Sequence, residues 1–409
     1  MQSVMINTTV RASHANDTAA DLVIVPAGTT GQSYSSMQIL GLPLLRRTVL
    51  AAYRAGFDRI IVLTQHLEAV KHLLGSSPAT VLATLDSSAD STHRRMVFLG
   101  ANVLAGSQWL RRLREMPLKE REFYRDGDAA GVIDAVDARP ALTSVTGEMP
   151  APTLFAALEK ISNRVEPGPG QERAFAVASI EDVKSAEGLL LRGLVKDSES
   201  IMSRYVERPV SLVITKRLVS TALTPNAMTL ISLGVGLAGA PFFLSSNPVY
   251  QVTGALLFLA HSILDGCDGE LARLKFMESR WGGLLDFWGD NLVHVVVFLC
   301  IAAGWGLSTN SPWPWAAGAL SVIGTLGCAG VVYWHTMRRK QSPGPLFTSI
   351  WNTKAAGFDH YLDMVARRDF IYAILFLSFF GKAAWFVAAV GVGSPFMALL
   401  LLYKSRLAA

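Results

Sequence analysis

The sequence is poor in charge and in cysteine. Only 17% of its 409 residues are Asp, Glu, Lys or Arg, against roughly 25% in an average soluble protein. Hydrophobic residues make up 51% of the chain and mean hydropathy is +0.33. This composition excludes a disordered chain, a coiled coil and a collagen-like repeat. The three cysteines, Cys267, Cys300 and Cys328, are odd in number and all lie in the second half. They exclude a disulfide framework and predict reduced, buried thiols. No basic segment followed by an apolar run stands at the N-terminus, so no signal peptide is expected and the polar part ahead of the first apolar run is expected to be cytoplasmic.

The charge that is present is unevenly spread. Residues 1–208 hold 46 of the 69 charged residues, 23 of each sign, whereas residues 209–409 hold 14 basic and 9 acidic ones. The pI of 9.1 therefore comes from the apolar half. Cytoplasmic loops rich in Lys and Arg explain that excess better than a basic soluble face, so no nucleic-acid partner is expected.

Two regions follow from the patterning. Residues 1–200 read as a cytoplasmic α/β domain, since Leu22–Val25, Arg59–Leu63 and Met96–Leu99 are strand-like, Leu44 to Ala55 is helical, and strand, loop, helix and strand succeed one another within about 40 residues. The Pro- and Gly-rich stretch from Ala138 to Gln171 resists assignment, and a charged helix is expected from Ile180 to Val195. Residues 201–409 read as an all-α transmembrane domain with six spans, near 228–244, 250–264, 284–307, 315–334, 370–380 and 384–403. The connections after the first and third spans carry no charge and the fifth–sixth connection carries only Lys382. The basic residues, among them Lys216, Arg217, Arg273, Lys275, Arg280, Arg338, Arg339, Lys340, Lys354, Arg367, Arg368, Lys404 and Arg406, fall on the opposite side, which predicts a multi-pass inner-membrane protein with both ends cytoplasmic.

One segment breaks the avoidance of acids in such spans: Asp265, Asp268, Gly269, Ala272 and Arg273, followed by Gly282, Asp286 and Asp290. The i to i+3 and i to i+4 spacings put each pair of aspartates on one helix face, and a tight cytoplasmic turn between them would bring the pairs together. Four carboxylates so close cannot all remain ionised without cations, and hard oxygen ligands suit Mg²⁺, Mn²⁺ or Ca²⁺. The glycines admit close approach of a phosphate or nucleotide. A salt-bridge network with Arg273, Lys275 and Arg280 is the structural alternative, and a cation transporter with acids lining its pathway is a rival of another class.

The spacing D-x2-D-G-x2-A-R-x8-G-x3-D-x3-D resembles the signature of the CDP-alcohol phosphotransferase family at all eight fixed positions. The resemblance implies a six-helix membrane enzyme that moves a substituted phosphate from a CDP-linked donor to an alcohol or lipid acceptor, releasing CMP, in phospholipid or phosphodiester biosynthesis. It implies two divalent cations, Mg²⁺ or Mn²⁺, held by Asp265, Asp268 and Asp286, with Asp290 as general base also able to touch a metal. Gly269, Ala272, Arg273 and Gly282 would then face the nucleotide. Thr224-Pro225-Asn226 is similar to the family's helix-entry segment, placing Asn226 at the nucleotide as well. Arg208-Pro209, Lys216 and Arg217 suit a juxtamembrane helix on anionic lipid. A homodimer is a further implication of the family.

The first region resembles sugar-phosphate nucleotidyltransferases in Ala27-Gly28, in Gly41-Leu42-Pro43-Leu44-Leu45-Arg46-Arg47-Thr48 and in the segment Phe175 to Leu190. The fused order is similar to bifunctional inositol-phosphate cytidylyltransferase and CDP-inositol phosphotransferase proteins. The catalytic positions depart from that pattern: the loop Thr29 to Ser33 has no arginine, no Lys-Pro pair precedes Gly41, Asn102 stands where a metal-binding acid is expected, and Val177-Ala178 replaces a second one. Triphosphate chemistry without cation clamps loses its main electrostatic support. The domain is therefore expected to be degenerate, serving assembly or regulation, with a bifunctional enzyme as the alternative. His66, His72 and His93 show no ligand spacing. The donor head group and the acceptor stay open.

Overall fold

The computed structural model describes residues 19–27, 34–85, 94–142, 145–168, 173–195, 199–334 and 369–407, and the chain divides into two units, Met1–Gly188 and Leu189–Ala409. The expectations for Thr29 to Ser33, His93 and 335–368 lie outside the described residues.

The first unit is built on a mixed seven-stranded sheet. Its strands are β1 (Ala20–Val25), β2 (Arg59–Leu63), β3 (Thr80–Leu82), β4 (Arg95–Gly100), β5 (Glu122–Asp126), β6 (Ala130–Asp134) and β7 (Asn163–Val165), in the order β7-β5-β6-β4-β1-β2-β3. β1 pairs in parallel with β2 and β4, with Val23 opposite Ile61 on one side and Phe98 on the other. All six residues of β1 are buried, as a strand covered on both faces requires. The hairpin β5–β6 adds antiparallel pairing next to β4. Helices α1 (Leu44–Ala55) and α2 (Ser107–Glu115) pack together, and α3 (Ala151–Glu159) sets its Phe155 against Phe123 in the core that also holds Phe98. α3 and β7 occupy the stretch that could not be assigned from its Pro- and Gly-rich text. The expected charged helix is α4 (Ile180–Arg192), stopping three residues earlier than Val195.

The second unit is helical: α5 (Arg208–Leu218), α6 (Pro225–Gly239), α7 (Pro248–Lys275), α8 (Arg280–Thr309), α9 (Trp313–Val332), α10 (Phe370–Phe379) and α11 (Ala383–Leu407). Four stretches among the described residues are long and apolar enough to cross a membrane: Pro225–Leu244, Arg280–Thr309, Trp313–Val332 and Ala383–Tyr403. α7 is long, but Gln251, His261, Ser262 and Asp265 interrupt its apolar part, and α10 has ten described residues.

α7 does not stop near Leu264. It continues through the aspartate motif to Lys275, so the whole helix is 28 residues, about 42 Å at 1.5 Å per residue, which exceeds the roughly 30 Å of membrane hydrocarbon. Asn247 caps its start by accepting from Val249 N at 2.9 Å, and Phe276 ends it in the left-handed region. Ser279 then caps α8, accepting from Gly282 N at 2.9 Å. Reversal over so few residues sets Asp268 of α7 and Asp286 of α8 each about 10 Å from the turn, and Asp265 and Asp290 each about 15 Å from it.

α6 packs against both α7 and α8, which touch one another less. Ser232 and Gly236 of α6, with Ala240 just past its end, recur at i+4, and a Cβ on Gly236 would lie 2.6 Å from Val293 and 2.9 Å from His261. The small-residue stripe is what lets three helices converge at the acids.

Candidate metal centre and active site

Carboxylate oxygens of Asp265, Asp268 and Asp286 all lie within 4.8 Å of one another, and this is the one grouping of three or more potential metal-ligating residues found among the described residues. Asp265 and Asp268 are each 5% exposed, and Asp286 is half-buried. Thr229 of α6 hydrogen-bonds Asp268 Oδ2 through its hydroxyl. Three carboxylates that close repel strongly unless a cation sits among them. The donor set is oxygen only, which fits Mg²⁺, Mn²⁺ or Ca²⁺ and not a soft metal.

Asp290 stands outside that trio. His261 Nε2 approaches its Oδ1 at 3.3 Å and His294 Nε2 at 3.7 Å. Both histidines are buried, on α7 and α8, and Phe258 stacks on the His261 ring and meets the His294 ring edge-on.

Four of the five residues expected at the nucleotide fall into two pairs. Asn226 and Gly282 adjoin, since a Cβ on Gly282 would lie 2.8 Å from Asn226 Oδ1 and 2.9 Å from Ser279 Oγ. Arg273 lies back along its helix over Gly269, where an added Cβ would be 3.4 Å from Arg273 Nη1. The Ala272 carbonyl receives the N–H of Met277 at 2.9 Å and helps close α7. Thr224 accepts from Ala227 N at 3.2 Å with Pro225 at the first helical position, so the helix-entry segment caps α6.

Basic residues near the motif have partners of their own. Lys275 Nζ donates to the carbonyls of Thr221 and Leu223 at 2.7 and 2.8 Å. Arg208 crosses Gly266 and donates through Nη1 to Glu270 Oε1 at 2.7 Å and through Nε to Glu199 Oε1 at 3.0 Å. Burial alone would lower the pKa of Arg208, but Glu199 and Glu270 outweigh it and hold the guanidinium above its ordinary value. Glu270, fully buried, also accepts from Ser211 Oγ at 2.7 Å and Thr215 Oγ1 at 2.6 Å. The polar face of α5 is thereby clamped to the motif helix.

Glu270, Thr229, His261 and His294 were not singled out from the sequence. His261 and His294 carried a usable signal, since each lies four residues from a motif aspartate, His261 before Asp265 and His294 after Asp290. Glu270 lies within the motif but at one of its variable positions.

In the first unit, Asn102 and Val177 meet. Asn102 Nδ2 donates to the Val177 carbonyl at 3.1 Å and Val177 N donates to the Asn102 carbonyl at 2.9 Å. The two positions at which metal-binding acids were expected thus adjoin and hold an amide and a buried isopropyl group. Arg47 is spent on structure, donating to the carbonyls of Ile39 and Leu40 at 2.8 and 3.2 Å, and burial pulls its pKa down to about 10. His66 and His72 are exposed.

Residues 222–356 match the family model described as CDP-alcohol phosphatidyltransferase, so the chain carries a domain of that family there. The bifunctional IPC transferase and DIPP synthase of Rubrobacter xylanophilus is 35% identical over 146 residues, covering 35% of this chain and 32% of the relative. The protein of the same name from Archaeoglobus fulgidus is 40% identical over 124 residues, 30% of this chain and 24% of the relative. The chain thus spans about a third or less of the length of these curated relatives. A solved phosphatidylinositol phosphate synthase of Mycobacterium tuberculosis with CDP-DAG bound aligns over 48% of this chain and 92% of its own at 15% identity, with a TM-score of 0.37.

Proposed function

We propose that the chain is an integral membrane CDP-alcohol phosphotransferase, transferring a substituted phosphate from a CDP-linked donor to an alcohol acceptor with release of CMP. The observation that carries this is the carboxylate trio of Asp265, Asp268 and Asp286 inside a domain of that family. Those three would hold divalent cations, which when bound neutralise charge on the donor diphosphate and the departing CMP. Asp290 takes the hydrogen of the acceptor hydroxyl. The acceptor oxygen bonds to the phosphorus of the substituted phosphate, the P–O bond to CMP breaks, and CMP carries off that electron pair. Asn226 with Gly282, and Arg273 with Gly269, border the space assigned to the nucleotide. In this proposal six helices span the membrane, both termini are cytoplasmic, and the chemistry lies at the cytoplasmic edge. The first unit is proposed as a degenerate nucleotidyltransferase-like domain, a reading supported by Asn102 and Val177.

The test is CMP formation by the purified full chain with Mg²⁺ or Mn²⁺. CDP-diacylglycerol and CDP-inositol would be offered as donors with inositol phosphate, glycerol phosphate, diacylglycerol and other lipid alcohols as acceptors. Turnover with one pair, abolished in Asp290→Asn while Mn²⁺ and CDP still bind, is expected. Cation flux in liposomes without CMP formation would favour a transporter, and unchanged turnover in Asp290→Asn would remove the base assignment.

A further inference from the structure

We propose that His261 is the positioning residue for Asp290, holding the carboxylate in the orientation needed to receive the acceptor's proton. This rests on the reading of Asp290 as general base. His261 Nδ1 lies 2.9 Å from the Ser232 carbonyl, which can only accept, so Nδ1 carries hydrogen and donates to it. That bond fixes the ring from α6. Nε2 is left facing Asp290 Oδ1 at 3.3 Å. The line Ser232 carbonyl, imidazole, carboxylate therefore joins three helices.

Every group along this line is buried. Ser232 and His261 are fully buried, Asp290 is 9% exposed, and Phe258 stacks on the imidazole with centroids 6.2 Å apart. Gly236 supports the ring from below, where any Cβ would come within 2.9 Å of His261 Cγ. A buried histidine with one nitrogen on a carbonyl and the other on an acid is the arrangement by which enzymes fix a carboxylate–imidazole unit in a single orientation. Its energetic reason is general: a misplacement of about 1 Å in a reacting group can cost on the order of 10²-fold in rate. His294 Nε2 lies 3.7 Å from the same oxygen.

The test compares His261→Asn, His261→Gln and His261→Ala in the full chain. CMP formation is measured with whichever CDP-diacylglycerol or CDP-inositol pair turns over. Mn²⁺ binding is followed by electron paramagnetic resonance and CDP binding by calorimetry. The Asn amide reaches the position of Nδ1 and the Gln amide that of Nε2. His261→Asn and His261→Ala are expected to lose about 100-fold in kcat with KM for the donor unchanged within about twofold, and His261→Gln to keep activity within about tenfold of wild type. Gly236→Ala retains the histidine and displaces its ring, so kcat should fall there too. Wild-type kcat in His261→Asn and His261→Ala would overturn the proposal, leaving the base assignment intact if Asp290→Asn is inactive. Parallel loss of Mn²⁺ binding, CDP binding and kcat in every His261 variant would also overturn it, by showing a merely structural role. Full activity in Asp290→Asn would sink the underlying base reading instead.

Discussion

Replacing Glu270 by leucine should destabilise the helical unit more than any single change on its surface. The carboxylate is fully buried and accepts from Arg208, Ser211 and Thr215, so three donors on α5 converge on one acid of α7. Removing it leaves the Arg208 guanidinium, which is only 18% exposed at its side chain, with Glu199 alone. Breaking a buried pair in this way costs about 3–5 kcal/mol. For a unit of about 200 residues each kcal/mol moves the midpoint by about 2–4 °C, so the expected loss is about 6–20 °C in detergent. Arg208→Leu strands the acid and should cost a similar amount. In the double variant Glu270→Leu with Arg208→Leu neither member of that pair is stranded, although Glu199 loses its contact with Arg208, so its loss should fall short of the sum of the two single losses by about 1.5 kcal/mol or more. The assay is thermal unfolding of the four proteins with Mn²⁺ present. Additive losses, or a shift under about 2 °C for Glu270→Leu, would refute the idea that this acid clamps α5 to the motif helix.

Two further outcomes are expected. Gly282→Ala forces a Cβ to within 2.8 Å of Asn226 Oδ1 and 2.9 Å of Ser279 Oγ, so calorimetry should show CDP affinity reduced about tenfold or more, with Mn²⁺ binding retained; unchanged CDP affinity would remove Gly282 and Asn226 from the nucleotide site. The full chain given CTP and inositol phosphate should release no pyrophosphate, because Asn102 and Val177 stand where two metal-binding acids are needed; a pyrophosphate signal surviving Asp265→Asn would show that the first unit is active.

Local information carried much of this structure. The strand-loop-helix order of the first unit is written in Leu22–Val25, Leu44–Ala55 and Arg59–Leu63, and those segments fold as their patterns imply. Helical spacing plus a short turn made a convergence of four aspartates legible, whereas the structure groups Asp265, Asp268 and Asp286 and leaves Asp290 beside His261. Other features depend on partners distant in sequence. Ser232 and His261 are 29 residues apart, Arg208 and Glu270 are 62 apart, and neither pairing has a local signature. The span limit near Leu264 marked the end of the apolar run, and the helix expected to carry Asp265 and Asp268 runs on to Lys275. Gly266 and Gly269 weaken a helix by about 1 kcal/mol each relative to alanine, yet Gly266 admits Arg208, which helps hold the helix through Glu270. Tertiary contacts thus override the local preference. The six-span expectation counted apolar runs, whereas only four of the described stretches meet length and hydropathy together, because α7 mixes polar side chains into its apolar part and α10 is short.

The central claim is that Asp265, Asp268 and Asp286 bind cations which grip the diphosphate common to every CDP-linked donor. The most direct measurement is phosphorus-31 electron–nuclear double resonance on Mn²⁺ bound to the full chain with saturating CDP. A phosphorus coupling to the bound Mn²⁺ is expected in the wild type and is expected to be absent in Asp265→Asn and Asp286→Asn. Tight Mn²⁺ binding with no phosphorus coupling, or a coupling that persists when those carboxylates are removed, would contradict it.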